Sequence, residues 1–303
     1  MKEMWRGTIE HKQSNLIQRP IKDSTESNQK TTDVEVTDSN HTVDVDEVAW
    51  CEHICQHSSH RDGTIYKYKL YWKNNYHIDV TNREDKWSLW IHCVIVTGCS
   101  GIPLYCRTMI FSLKLAKTTT SSGPLQLYGY IAARDLLDDK LNYVFNRSRD
   151  DPIIVQEESI IEMTGPKRGI ALIPNVLFEF DMRIKNGEKE DDLQLIDGII
   201  EFQEILLQEK PITARITGDY GDVDMCLANV SNGVEATVEV AILEPDHGFD
   251  LSISCVLFMM ERSKEFQLFG GTIGEFCQLG RFVTAVFLDT VMHLKFKVPM
   301  LFL

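Results

Sequence analysis

Between Val176 and Lys185 the chain alternates Val176, Phe178, Phe180, Met182 and Ile184 with Leu177, Glu179, Asp181, Arg183 and Lys185. Successive strand side chains point to opposite faces, so the pattern predicts a β-strand with one apolar, buried face and one charged face. Asn186-Gly187 follows, a pair suited to the positive φ angles of a tight hairpin. Upstream, Gly165-Pro166 and Gly169 mark the turn that feeds the strand. A second segment repeats the rule: Val234, Ala236, Val238, Val240 and Ile242 oppose Glu235, Thr237, Glu239 and Ala241.

Shorter apolar or alternating runs predict further strands at Phe111–Leu115, Leu125–Ala133, Asn142–Phe145, Ile170–Ile173 and Leu193–Phe202. Towards the end come Phe249–Val256, Phe266–Phe269, Phe282–Leu288 and Met292–Val298. Many short strands with turn residues between them point to an all-β fold, a two-sheet antiparallel sandwich with little helix. No long segment keeps a helical period, and nothing repeats at a fixed spacing. The β-rich domain is assigned to residues 111–303. Residues 48–110 form a Trp/Cys/His-rich extension holding Trp50, Trp72, Trp87 and Trp90, with Tyr66, Tyr68 and Leu70 alternating against polar partners. Residues 1–47 are a tail and acidic linker. Within it, 23–47 carries eight carboxylates against Lys30 alone, and so little apolar surface predicts disorder.

Charge narrows the partners. The net charge is −14, and from Phe111 onward 18 basic residues face 30 acidic ones. Such a domain is poorly suited to a nucleic-acid backbone, where each phosphate contact wants a cation. No run approaches the eighteen apolar residues of a membrane span. The start lacks the apolar core of a secretory signal, which makes a cytoplasmic protein with reduced cysteines the default. Five basic and two acidic groups in residues 1–22 leave a mitochondrial alternative.

Three clusters carry candidate chemistry. Cys51, His53, Cys55, His57 and His60 place five potential metal ligands in ten residues. Zinc favours such ligands, but the spacing matches no common zinc module, and an incidental Cys/His stretch is the favoured reading. Lys167 and Arg168 sit on a glycine-flanked turn able to present backbone N–H groups to an anion, against the simpler reading of two solvated cations. Asp219, Asp222 and Asp224 gather carboxylates as calcium sites do, but in the wrong register and without the closing Glu. The acidic tip Glu188–Asp192 is expected to be solvated. No catalytic residue and no cofactor is assigned.

Several stretches resemble a plant, largely grass-restricted family of β-rich domains: Pro124–Asp135, Asn142–Arg147, Ser159–Gly169 with its Thr-Gly-Pro-Lys-Arg-Gly, Val176–Lys185, Val234–Leu243 and Arg281–Val298. Together they cover about Phe111 to Val298. The resemblance extends to the domain appended behind the N-glycosidase domain of cereal jasmonate-induced ribosome-inactivating proteins. It implies a stress or defence setting and a protein partner, either a related family member or the chain itself. It also raises rRNA N-glycosidase as an alternative function. Depurination in that class uses a Glu-x-x-Arg pair one helical turn apart with two stacking tyrosines, and here only Glu3-Met-Trp-Arg6 has the spacing; Ile131-Ala-Ala-Arg134 lacks the Glu. The family's relatives are expected to continue with strands beyond Leu303. Met292, Leu294, Phe296 and Val298 therefore offer an apolar strand face, followed by Pro299–Leu303, that either closes the protein's own sheet or associates with a partner.

Overall fold

The structure, a computed structural model, describes residues 59–67, 70–76, 78, 106–120, 123–204, 207, 209–242, 248–259, 262–274, 277–287 and 290–298. The tail and linker at 1–47, the Glu3–Arg6 pair, Cys51, His53, Cys55, His57, Trp87–Val96 and Pro299–Leu303 lie outside the described residues.

The described residues are dominated by strands in antiparallel sheets, as the alternation predicts. A first sheet is ordered β3 (Asp138–Arg147), β2 (Leu125–Asp135), β7 (Asn175–Ile184), β8 (Leu193–Gln203), with β4 (Ile153–Val155) also on β2. A second is ordered β5 (Ile160–Ile161), β1 (Cys106–Thr118), β10 (Gly221–Val230), β9 (Ile212–Thr217), with β6 (Ile170–Leu172) also on β1. These two sheets make the sandwich. Val176, Phe178, Phe180, Met182 and Ile184 all point into it, against Leu113, Leu115, Met225 and Leu227 of the second sheet.

The C-terminal strands add a third layer. β13 (Phe249–Met259) pairs with β14 (Arg262–Ile273) on one side and β17 (Met292–Lys297) on the other. Its Cys255 and Leu257 pack with Met109, Phe111, Ala228 and Val230, the residues of β1 and β10 that face away from the sandwich core. The second sheet is thus apolar on both faces, which explains the unbroken Met109-Ile110-Phe111 run. Two ribbons complete the fold, β11 (Gly233–Val238) with β16 (Phe282–Phe287) and β12 (Ala241–Ile242) with β15 (Cys277–Gln278). The expected Val234–Leu243 strand is therefore two strands, and on its apolar side Val238 is buried while Val234, Ala236, Val240 and Ile242 are half buried.

Ahead of the sandwich, Thr64–Lys67 forms a 3-10 turn and Leu70–Asn75 a short helix, α1. Tyr66 and Leu70, two of the alternating residues there, thus lie in helical turns. Trp72 and Tyr76, joined by a backbone hydrogen bond from Tyr76 N to Trp72 O of 3.0 Å, pack with Ile65, Leu177 and Ile199. The predicted Asn186-Gly187 hairpin is also longer than two residues. Gly187 takes φ +68°, but residues 185–192 all belong to the connection. The acidic tip is not simply solvated either. The Asp192 side chain is buried, accepting from Arg149 Nε and Tyr128 Oη at 2.7 Å each and from Asn186 N at 2.9 Å.

Candidate functional site

The outward face of the first sheet is where the titratable groups gather. Ladder pairing sets Ala132 beside Glu179 and Ile199, and Tyr130 beside Asp181 and Asp197, all on the side opposite the sandwich core. Asp181 and Asp197 are direct cross-strand neighbours, an arrangement that like charges disfavour. The segment from Ser59 to Ile78 lies over this face and supplies what the charges lack.

His60 is the central pin. Its Nδ1 sits 2.5 Å from Asp197 Oδ1 and its Nε2 3.3 Å from Glu179 Oε2. Ser59 Oγ donates to Asp197 Oδ2 at 2.9 Å, and the His60 backbone N–H also reaches that carboxylate. Glu179, wholly buried, further accepts the Tyr66 hydroxyl at 2.6 Å and is ion-paired with Arg134 of the neighbouring strand. Tyr66 and Tyr130 meet the imidazole edge-on, with ring centres 5.6 and 5.9 Å away. One turn of chain further on, Glu201 receives Tyr71 and Tyr76 hydroxyls and the Asn175 amide.

The electrostatics follow from this packing. Burial alone would push the His60 imidazolium down, but hydrogen bonds and charge from Asp197 and Glu179 outweigh it and raise its pKa to about 9. Burial would raise the Glu179 carboxyl, yet the His60 hydrogen bond, the Arg134 charge and the Tyr66 hydroxyl pull it to about 2. Asp181, with Gln194 and Arg183 as partners, is pushed up mainly by burial. At neutral pH the centre holds two cations, His60 and Arg134, against two anions, Glu179 and Asp197. A protonated imidazole has no lone pair for a metal or a substrate proton. The arrangement is chemically suited to clamp the segment onto the sheet.

His60 was one of the five clustered candidate ligands; both its nitrogens face carboxylates instead. Among the described residues no group of three His, Cys, Asp or Glu side chains is arranged so that it could hold a metal ion. The Asp219–Asp224 cluster dissolves in the same way. Gly221–Val230 is a ten-residue strand, and Asp224 pairs in two-point fashion with Arg215 Nε and Nη2 at 2.7 and 2.8 Å. The turn at Lys167 and Arg168 does hold anions, but they are the protein's own. Gly169 N donates to Glu235 at 2.7 Å, while Asp135 takes Arg168 Nη1 at 2.6 Å and Ala171 N at 2.8 Å. Asn142 closes the turn against the Lys167 N–H and the Arg168 carbonyl. Arg134, whose Ile131-Ala-Ala-Arg134 stretch lacks a Glu, is paired with Glu179 of the neighbouring strand.

The other candidate residues lie on β17, at an edge. Met292, Leu294 and Phe296 stand opposite Leu257, Cys255 and Ile253 and share their core-facing side. Met292 and Leu294 are half buried, but Phe296 is 55% and Val298 46% exposed. The stripe slides off the core as the strand proceeds. His293, Lys295 and Lys297 occupy the other face, with Lys295 Nζ 2.6 Å from Glu265. Among the described residues β17 pairs only with β13.

A family model for a domain of unknown function, DUF6598, matches residues 108–300, and the chain belongs to that family. No curated protein and no solved structure matches. The matched range contains the sandwich apart from the first two residues of β1, with Arg134, Glu179, Asp197 and β17, while His60, Tyr66, Tyr71 and Tyr76 lie ahead of it.

Proposed function

We propose that this chain is a non-enzymatic interaction module that works by binding another protein through the edge of β17. The observation that carries this reading is Phe296. It sits on the core-facing side of its strand opposite fully buried Ile253, yet more than half of it is exposed. An edge strand with an uncovered apolar stripe is a template for strand addition, where main-chain hydrogen bonds give affinity and alternate side chains give selectivity. The resemblance to the appended domain of cereal jasmonate-induced ribosome-inactivating proteins supports a plant stress or defence setting. In that setting the partner is a related family member or a second copy, and a free-standing domain regulates or neutralises a toxin-like relative by association.

The test is sedimentation of the full chain alone and mixed with a relative that carries the same domain. Phe296→Asp is expected to abolish any complex while leaving the fold intact; a complex indifferent to Phe296 would remove the reading.

A second reading, rRNA N-glycosidase, draws on the same resemblance and on Glu179 paired with Arg134 beside Tyr66 and Tyr130. Against it stands the sealing of that group. Glu179 has no exposed surface, and its oxygens are taken by Tyr66, Arg134 and His60. A base could reach it only by displacing the covering segment. Adenine release from ribosomes at enzyme-like turnover, abolished by Glu179→Gln, would establish this second reading.

A further inference from the structure

The open face of β17 has a definite chemical character. The end of the strand and the residue after it read Lys295-Phe296-Lys297-Val298, cation and apolar residue in strict alternation, in a chain of net charge −14. Lys297 makes no ion pair among the described residues, and Lys295 shares Glu265. An added strand that satisfies this edge must place acids opposite the lysines and apolar residues opposite Phe296 and Val298. Two copies of β17 cannot satisfy each other, because antiparallel self-pairing brings the cationic positions His293, Lys295 and Lys297 together, and like charges directly opposite destabilise a sheet.

The complementary pattern is written in the chain itself. Val43-Asp44-Val45-Asp46, run antiparallel, sets Val43 against Val298, Asp44 against Lys297, Val45 against Phe296 and Asp46 against Lys295. Asp33-Val34-Glu35-Val36 has similar alternation, but the register that matches its acids to the lysines leaves Thr32 against Val298 and uses Val36 on half-buried Leu294. Only the 43–46 stretch covers both of the most exposed apolar residues of the edge.

We propose that the β17 edge takes Val43–Asp46 of a second copy of this chain as an added antiparallel strand, an inference that rests on the association reading above. Residues 43–46 lie outside the described residues, and the extension a same-copy tether needs favours donation from another copy. Ser59 is fixed to Asp197 on the outer face of the first sheet, whereas β17 belongs to the third layer, beyond the second sheet. With packed layers about 10 Å apart, the two are about 30 Å apart straight through the protein, and a real path runs around its edge. The thirteen residue steps from Asp46 to Ser59 span at most about 43–47 Å, and only when fully extended. A donor from another copy carries no such restriction. Reciprocal donation closes a dimer, and one-way donation builds a chain of copies.

The experiment is sedimentation velocity of the full chain over a concentration series. Wild type is expected to self-associate. Asp44→Lys/Asp46→Lys and Lys295→Asp/Lys297→Asp, the latter at exposed positions, are each expected to be monomeric, and an equimolar mixture of the two variants is expected to regain association because its charges complement again. Asp33→Lys/Glu35→Lys should leave association unchanged. A monomeric wild type, a silent Asp44→Lys/Asp46→Lys variant, or no recovery on mixing overturns the proposal. If that variant is silent while Phe296→Asp still abolishes a complex, the donor assignment fails and the association reading stands; if both are silent, both fail.

Discussion

Two surfaces of this protein begin from the same strand grammar and end in opposite states. On β7 the charged face, Glu179 and Asp181, is covered by the Ser59–Ile78 segment, and each carboxylate acquires partners. On β17 the apolar stripe runs out past the core and ends with Phe296 and Val298 in solvent. The contrast is instructive because the intuition of polar outside, apolar inside fails at both places. A buried charge is tolerated when its hydrogen bonds and countercharges are complete, and removal of one partner leaves the others stranded. An exposed apolar stripe on a sheet edge carries no such internal completion. Under the association proposed above, another strand completes it.

The contrast can be broken from either side. The largest effect is expected in the sandwich core that both surfaces flank: Phe180→Asp places a charge among fully buried apolar residues and should cost more than about 4 kcal/mol, read by denaturant unfolding. His60→Ala comes next. It leaves Glu179 and Asp197 without their shared cation, with an expected loss of about 3–5 kcal/mol and a melting temperature lower by about 10 °C. The clamp should also titrate. Because the folded imidazolium is raised from 6.5 to about 9, its contribution is complete below pH 6.5 and is lost as pH climbs through about 9. Glu179, depressed from 4.5 to about 2, contributes above pH 4.5 and loses its contribution as pH falls through about 2. Wild-type stability measured from pH 6 to 9.5 should therefore decline by more than that of His60→Ala; parallel curves would show that the imidazole is not the titrating pin. The smallest stability effect is expected for Phe296→Asp, about 0.5 kcal/mol, since the side chain is mostly in solvent already.

How much of this was readable beforehand varies with how local the cause is. The inward face of β7 was legible residue by residue, because period-two alternation is a local signal and the sandwich core lies on one side of it. The cover on its other face was not, since the groups that complete Glu179 and Asp197 come from more than a hundred residues upstream. A trace existed in Leu177 and Ile199, apolar residues on the supposedly charged face, and in Trp72 and Tyr76 at helical spacing. β10 was missed outright. Gly221, Asp222 and Asp224 look like a turn or an ion site, and only the cross-strand Arg215 makes Asp224 acceptable within a sheet. The apolar stripe of Met292–Val298 was visible as a pattern, whereas its slide off the core depends on how β13 and β17 are registered over the second sheet.

If the His60 surface serves stability and the β17 edge association, the most direct measurement is a paired comparison of His60→Ala and Phe296→Asp in the full chain, each scored by melting temperature and by sedimentation. The predicted result is a crossed pattern: His60→Ala melts about 10 °C lower yet still forms complexes below its transition, while Phe296→Asp melts within about 2 °C of wild type and forms none. A Phe296→Asp protein that loses as much stability as His60→Ala, with association unaffected, would contradict the account, for β17 would then be closing the protein's own fold.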